Sequence, residues 1–307
     1  MQFGVVLPNA GPLADPAALI TLAQQAEALG FHGIFLSDHL VLPLEPQSHY
    51  PYRSDGAFPL RPSDPVLEPV TALSYLAAVT RQVQLGFSVL VLPYRHPVLT
   101  AKMLTTLDQF SGGRLILGAG AGWMAEEFLA LGVDYTRRGR LTDEHLQVLR
   151  AMWTQERPRF SGQYYQLDGI ASSPRPAQQP HPPIWTGGTS PAALRRAARL
   201  ADGWHGIRMT PAQIADVRQE LGLLLRKQGR LDMDSFQISL RAGLDITTDN
   251  LAEPRLPLRG SPAQVAADVA QYRDAGLDYL VVEPRAANVP DFSRQMQHFS
   301  QEVWTLL

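Results

Sequence analysis

Short apolar runs alternate with amphipathic helical stretches along the whole of this 307-residue chain, and that alternation limits what it can fold into. Eight runs read as strands: residues 3–7, 32–37, 83–92, 115–118, 183–186, 203–205, 237–242 and 279–282. The first helical stretch places Leu19, Leu22, Ala23, Ala26 and Leu29 on one face, at the i, i+3, i+4, i+7 spacing, and Gly30 stops it. Further helical patterns cover residues 66–80, 97–110, 124–131, 136–153, 191–200, 211–228, 262–275 and 291–306. Asp15-Pro16, Ser190-Pro191, Thr210-Pro211 and Ser261-Pro262 repeat one helix start, a capping side chain followed by proline in the first turn. Strands separated by helices pair in parallel through right-handed crossovers. Eight such units predict a closed (β/α)8 TIM barrel as a single domain over residues 1–307. An open doubly wound sheet fits eight regular repeats less well.

Three insertions interrupt the repeat. Residues 42–65 are rich in proline, carry His49, Tyr50, Tyr52 and Phe58, and follow strand two, which places them at the C-terminal mouth of the barrel. Residues 160–170 read as a hairpin turning at Ser161-Gly162-Gln163, and residues 244–260 follow strand seven. Long loops at this face shape a pocket.

The densest local signal is Trp185-Thr186-Gly187-Gly188-Thr189-Ser190-Pro191. A strand runs into paired glycines and a helix begins at once. Glycines let backbone N–H groups approach an anion, and the helix start adds positive partial charge, so the stretch reads as a phosphate cradle. Asp38-His39 ends strand two on the active face of a barrel, where a histidine can exchange protons near neutral pH. Gly118, Gly120 and Gly122 alternate after strand four and permit close approach of a flat ring or a phosphate. Glu126-Glu127 reads as a solvated first turn, Trp123 as core or a ring-stacking wall, and Trp185 and Trp204 as core. Arg208 follows strand six within reach of a ligand phosphate, whereas Arg195 and Arg196 read as solvent-facing. Ser88-Val89, on composition alone, is part of a buried strand.

Composition narrows the chemistry. A net charge of −2, from 27 basic and 29 acidic residues, gives no electrostatic case for nucleic acid or an anionic membrane. The lack of cysteine excludes disulfides, thiolate metal sites and a cysteine nucleophile. The histidines lack metal-ligand spacing, so no metal is expected. No lysine stands at a strand end, against a Schiff-base aldolase. Neither a leader peptide nor a membrane-spanning run is visible, and the expected location is the cytoplasm.

Taken together, residues 23–39, 85–97, 111–128, 182–205 and 260–282 resemble the luciferase-like monooxygenase superfamily, in particular its coenzyme F420-dependent oxidoreductases. The resemblance implies a usually homodimeric (β/α)8 barrel with a flavin or 5-deazaflavin at its mouth. It implies a non-prolyl cis peptide between Ser88 and Val89 against the central ring, Asp38 and His39 near the ring system, and Gly120, Ala121 and Gly122 along the ribityl and ring region. Gly187, Gly188 and Thr189 would hold the phosphate, and His39 would be the catalytic proton-transfer group, with Glu126 second. The function implied is hydride transfer between F420 and a small organic substrate. An FMN-dependent monooxygenase and a non-catalytic flavin-binding barrel are the alternatives. Basic residues at the mouth, Arg208, Arg255 and Arg259, would meet the acidic tail of F420. One departure stands out: Trp123 follows Gly122 where the sugar-phosphate dehydrogenases of the superfamily carry a glutamate. That disfavours a sugar phosphate and suits a flatter, more apolar substrate.

Overall fold

The eight strands close on themselves. In the computed structural model, which describes residues 1–230, 233 and 235–307, the strands are β1 (Gln2–Val6), β2 (Gly33–Leu36), β3 (Gln84–Phe87), β4 (Leu115–Gly120), β5 (Ile184–Gly187), β6 (Gly203–Ile207), β7 (Gln237–Ile246) and β8 (Tyr279–Pro284). They lie in that order around a parallel ring, and β8 returns to β1 with Gln2 opposite Tyr279 and Val5 opposite Val282. This is the expected (β/α)8 barrel. Its lumen is filled by Val6, Phe35, Ile116, Trp185, Tyr279 and Val281, while the outward strand residues join the larger core beneath the helices. Trp185 and Trp204 are both buried, as read from the sequence.

The helices are α1 (Pro16–Ala28), α2 (Pro69–Val79), α3 (Pro97–Ser111), α4 (Ala125–Ala130), α5 (Arg138–Thr154), α6 (Pro191–Leu200), α7 (Pro211–Lys227), α8 (Pro262–Asp274) and α9 (Val289–His298). All four anticipated caps form: Asp15, Ser190, Thr210 and Ser261 accept from the backbone N–H groups of Ala18, Ala193, Gln213 and Gln264, and the last two are full capping boxes. Glu68 and His96 cap α2 and α3 in the same manner, each ahead of a proline.

Two elements differ from the sequence reading. The long apolar run at 83–92 is not one strand. It stops at Phe87, passes through a cis peptide between Ser88 and Val89, resumes at Leu90–Val91 beside Ala119 and Gly120, and tightens into a 3-10 turn at Leu92–Tyr94. The cis bond falls where the resemblance implied it. The last helix ends at His298, and a wider turn follows at Phe299–Val303. Phe299 and Trp304 can then both pack on Phe3 and Phe31. The hairpin at 160–170 is present as the antiparallel pair Phe160–Ser161 and Gln166–Leu167.

Candidate coenzyme and substrate site

A cavity of about 640 Å3 opens at the C-terminal ends of the strands, a size suited to a small-molecule site. The loop after β2 overhangs it, and that loop adds Tyr50, Tyr52 and Phe58 to the lining. Three regions make up the site: an anion-type turn at one end, a floor over Ser88-Val89, and an aromatic wall around His39.

The turn follows β5. Gly188 has φ of 103°, a backbone conformation that side chains disfavour, and a Cβ there would lie 2.9 Å from the Ala193 Cβ. Its carbonyl accepts from the Trp204 indole N–H at 2.9 Å. The backbone N–H groups of Gly188, Thr189 and Ser190 meet no protein acceptor among the described residues. The buried Thr186 hydroxyl, immediately before the turn, likewise lacks a protein partner. Gly187, Gly188 and Ser190 line the cavity; Thr189 is exposed beside it. Arg138, from α5, also lines this end, with its guanidinium 3.9 Å from the centre of the Tyr135 ring and no carboxylate partner among the described residues. Arg196 was expected to face solvent. Instead it is 8% exposed, lines the cavity and pairs with Asp143 at 2.5 Å, because its face of α6 packs on α5.

The floor is built from the β3 break. A Cβ on Gly118 would run into the Phe87 carbonyl oxygen, and one on Gly120 into the Val89 side chain. These two glycines therefore make room for the chain's own bulge, and Gly120 also lines the cavity. Ala121 and Gly122 remain as cavity lining next to Gly120. Beneath the bulge, the Ser88 hydroxyl meets His205 Nε2 at 2.8 Å, and His205 Nδ1 meets the Ser239 hydroxyl at 2.9 Å. Burial, with the nearby Arg241 charge, pushes His205 down to about 3, so it stays neutral. Arg241 donates to the Ser88 carbonyl at 3.1 Å and to the Ser37 hydroxyl at 2.7 Å, and it forms a two-pronged pair with Glu283. Burial works against the Glu283 charge, but the Arg241 and Arg208 guanidinium groups bring the carboxyl below the ordinary value.

At the wall, the His39 ring centre lies 4.9 Å from Phe58 and 6.0 Å from Trp123, and Tyr50 packs on Phe58 and Trp123 at 5.3 and 5.1 Å. Trp123 is thus a ring wall at the mouth. Asp38 lies at the cavity edge, but its carboxylate is committed inside the protein: it accepts from both terminal nitrogens of Arg95 at 2.7 and 3.0 Å and from the Val91 amide at 2.8 Å. It holds the end of β2 to the resumed strand at Leu90–Val91.

The glutamate pair is not a freely solvated first turn: Glu126 is partly exposed but held by the loop after β2, and Glu127 is enclosed. Glu127 is fully buried; it accepts from the Leu40 amide and the Tyr94 hydroxyl and faces His39 Nδ1 at 2.7 Å. Glu126 accepts from the Ser48 hydroxyl and from the Gln47 and Ser48 amides. Burial works against the Glu126 charge, but the Ser48 hydroxyl and the Gln47 and Ser48 amides together bring it down to about 2. Among the other arginines, Arg208 lines the mouth and lies 3.6 Å from Glu283. Arg255 is drawn away from the cavity into pairs with Asp268 and Glu253, and Arg259 sits in the short ladder beside Asp245. Among the described residues no group of three or more potential metal ligands forms, and no helix is long and apolar enough to cross a membrane.

A parallel barrel with a glycine turn, a bulged third strand and a ring-lined mouth defines a class of (β/α)8 proteins with one large site over the strand ends. Within that class the chain belongs to the luciferase-like monooxygenase family, whose model matches residues 1–253. It is 37% identical over 195 residues to an uncharacterised protein of Mycobacterium tuberculosis, covering 63% of this chain and 67% of that one. It is 36% identical over 196 residues to an F420-dependent glucose-6-phosphate dehydrogenase of Nakamurella multipartita (62% of this chain, 51% of that protein). It is 35% identical over 158 residues to an FMNH2-dependent dimethylsulfone monooxygenase of Pseudomonas putida (49% of this chain, 43% of that protein). The fold matches that of an F420-dependent secondary alcohol dehydrogenase bound to an F420–acetone adduct, with a TM-score of 0.79, 15% identity, and coverage of 100% of this chain and 99% of that one.

Proposed function

We propose that this chain is an oxidoreductase that moves hydride between coenzyme F420 and a small, largely apolar organic substrate, working as a homodimer in the cytoplasm. The observation that carries this reading is the continuity of the cavity from the Gly188 turn, whose amide meets no protein acceptor among the described residues, past Arg138, over Ser88-Val89, to His39. An anionic end beside flat rings fits that run of groups. When bound, F420 supplies a two-electron hydride donor or acceptor. The chain's own residues do the rest. The turn at Gly187, Gly188 and Thr189, with Arg138, holds the phosphate. Val89, braced on Gly120, together with Ala121 and Gly122, supports the ring system. Tyr50, Phe58 and Trp123 exclude water and confine an apolar substrate. His39 exchanges the proton that accompanies hydride.

The second reading, an FMN-dependent monooxygenase, is favoured by the similarity to the dimethylsulfone enzyme. Both coenzymes present flat rings and a phosphate, so the shared features of the cavity suit either. Arg138 has no carboxylate partner among the described residues, and beyond the shared phosphate its charge can also meet an acidic tail, which favours F420. Titration of the full chain with each coenzyme, followed by absorbance, separates them. Tight, stoichiometric F420 binding is expected; tight FMN binding with no affinity for F420 would reverse the order.

A further inference from the structure

The geometry points to Glu127 as a positioning residue that decides which ring nitrogen His39 presents to the cavity. The catalytic consequence rests on the hydride-transfer reading above, whereas the geometry does not. One oxygen of Glu127 accepts from the Leu40 amide at 2.8 Å and, more distantly, from the Val41 amide at 3.3 Å. The other accepts from the Tyr94 hydroxyl at 2.9 Å and lies 2.7 Å from His39 Nδ1. The backbone amides can only donate, and an ionised carboxylate can only accept. Burial opposes the charge, but the His39 contact, the Leu40 amide and the Tyr94 hydroxyl together bring Glu127 below its ordinary value. Nδ1 must therefore carry a hydrogen.

The other nitrogen, Nε2, has no protein partner among the described residues, and the ring lines the cavity. With Nδ1–H committed to Glu127, Nε2 is the single position at which His39 takes up or releases a proton on the substrate side. Nδ1–H stays in place throughout. A carboxylate behind a histidine fixes its tautomer and ring orientation. The sequence offers the two halves 88 positions apart, and α4 brings them together.

Histidine nitrogen NMR on the full-length chain tests this without coenzyme or substrate. The His39 signals are assigned by their loss in His39→Gln. Wild type is expected to show Nδ1 protonated and Nε2 unprotonated at a pH where the ring is neutral. In Glu127→Gln the amides of Leu40 and Val41 keep the side-chain oxygen on their side, so the new NH2 group faces His39 and donates to Nδ1. The proton should then move to Nε2. An anchoring role for Glu127 alone would leave the tautomer unchanged in that variant. A wild-type His39 with Nδ1 unprotonated, or a folded Glu127→Gln protein that keeps the Nδ1–H form, would overturn the inference. If Glu127→Gln does not fold, the wild-type spectrum still decides. If the tautomer switches as stated but the chain binds no F420, the positioning role stands and the hydride-transfer reading falls.

Discussion

At Gly188 a single hydrogen atom in place of a side chain keeps the phosphate-type turn open. Gly188→Val forces a branched residue into φ of 103° and sets a Cβ 2.9 Å from Ala193. The backbone strain alone costs about 1–3 kcal/mol. The variant should lower the urea midpoint and weaken coenzyme binding at least tenfold; unchanged affinity in the titration would remove this turn from the site. The turn was legible in the sequence because both of its signals are local, paired glycines and a capped helix start. His39 was legible because it ends a strand. Glu127 was not, since a glutamate in a first helical turn is ordinarily solvated, and only the packing of α4 under the loop after β2 buries it. Arg196 was misread for the same reason: its burial depends on Asp143, 53 positions earlier in the chain. Arg241 and Glu283 escaped notice because they are single charges in apolar strands, and their pairing exists only once β7 and β8 lie side by side.

The elements were easier to read than their interruptions. Helix starts carry their instructions within four residues, and all four cap-plus-proline starts were found where the sequence put them. Strand three shows the limit. Its residues are apolar from Val83 to Leu92 apart from Gln84, Gly86 and Ser88, so composition reads as one continuous strand. The break is instead written in β4, where Gly118 and Gly120 leave space for Phe87 and Val89. Recognising it from sequence required the family resemblance, because the two halves of the signal lie about thirty residues apart. The aromatic loop over residues 42–65 was placed at the mouth by its position after β2, but its ring packing on Trp123 could not be derived from spacing.

For the molecule as a whole, two buried histidines set a dependence on acid. Burial, with His96 and Arg95 nearby, pushes His145 down to about 3, and burial beside Arg241 does the same to His205. Both are fully enclosed, and neither His145 nitrogen has a hydrogen-bond partner among the described residues. In the unfolded chain each takes up a proton near its ordinary value of 6.5. The unfolded state therefore binds two protons that the native state refuses, and stability falls as pH drops from about 6.5 toward 3, by about 1.4 kcal/mol per pH unit for each histidine. Urea midpoints between pH 7 and 5 should show that slope, and His145→Leu should halve it; a flat profile would show that these rings are more accessible than the packing indicates.

The whole account turns on an anion at the β5–α6 turn with flat rings lying across Ser88-Val89. A crystal structure of the chain soaked with F420 tests this most directly. The account predicts phosphate oxygens within hydrogen-bond distance of the Gly188 and Thr189 amides, and the ring system against Val89 with His39 at its edge. Coenzyme bound elsewhere on the protein, or a turn closed to it by side chains, would contradict the assignment.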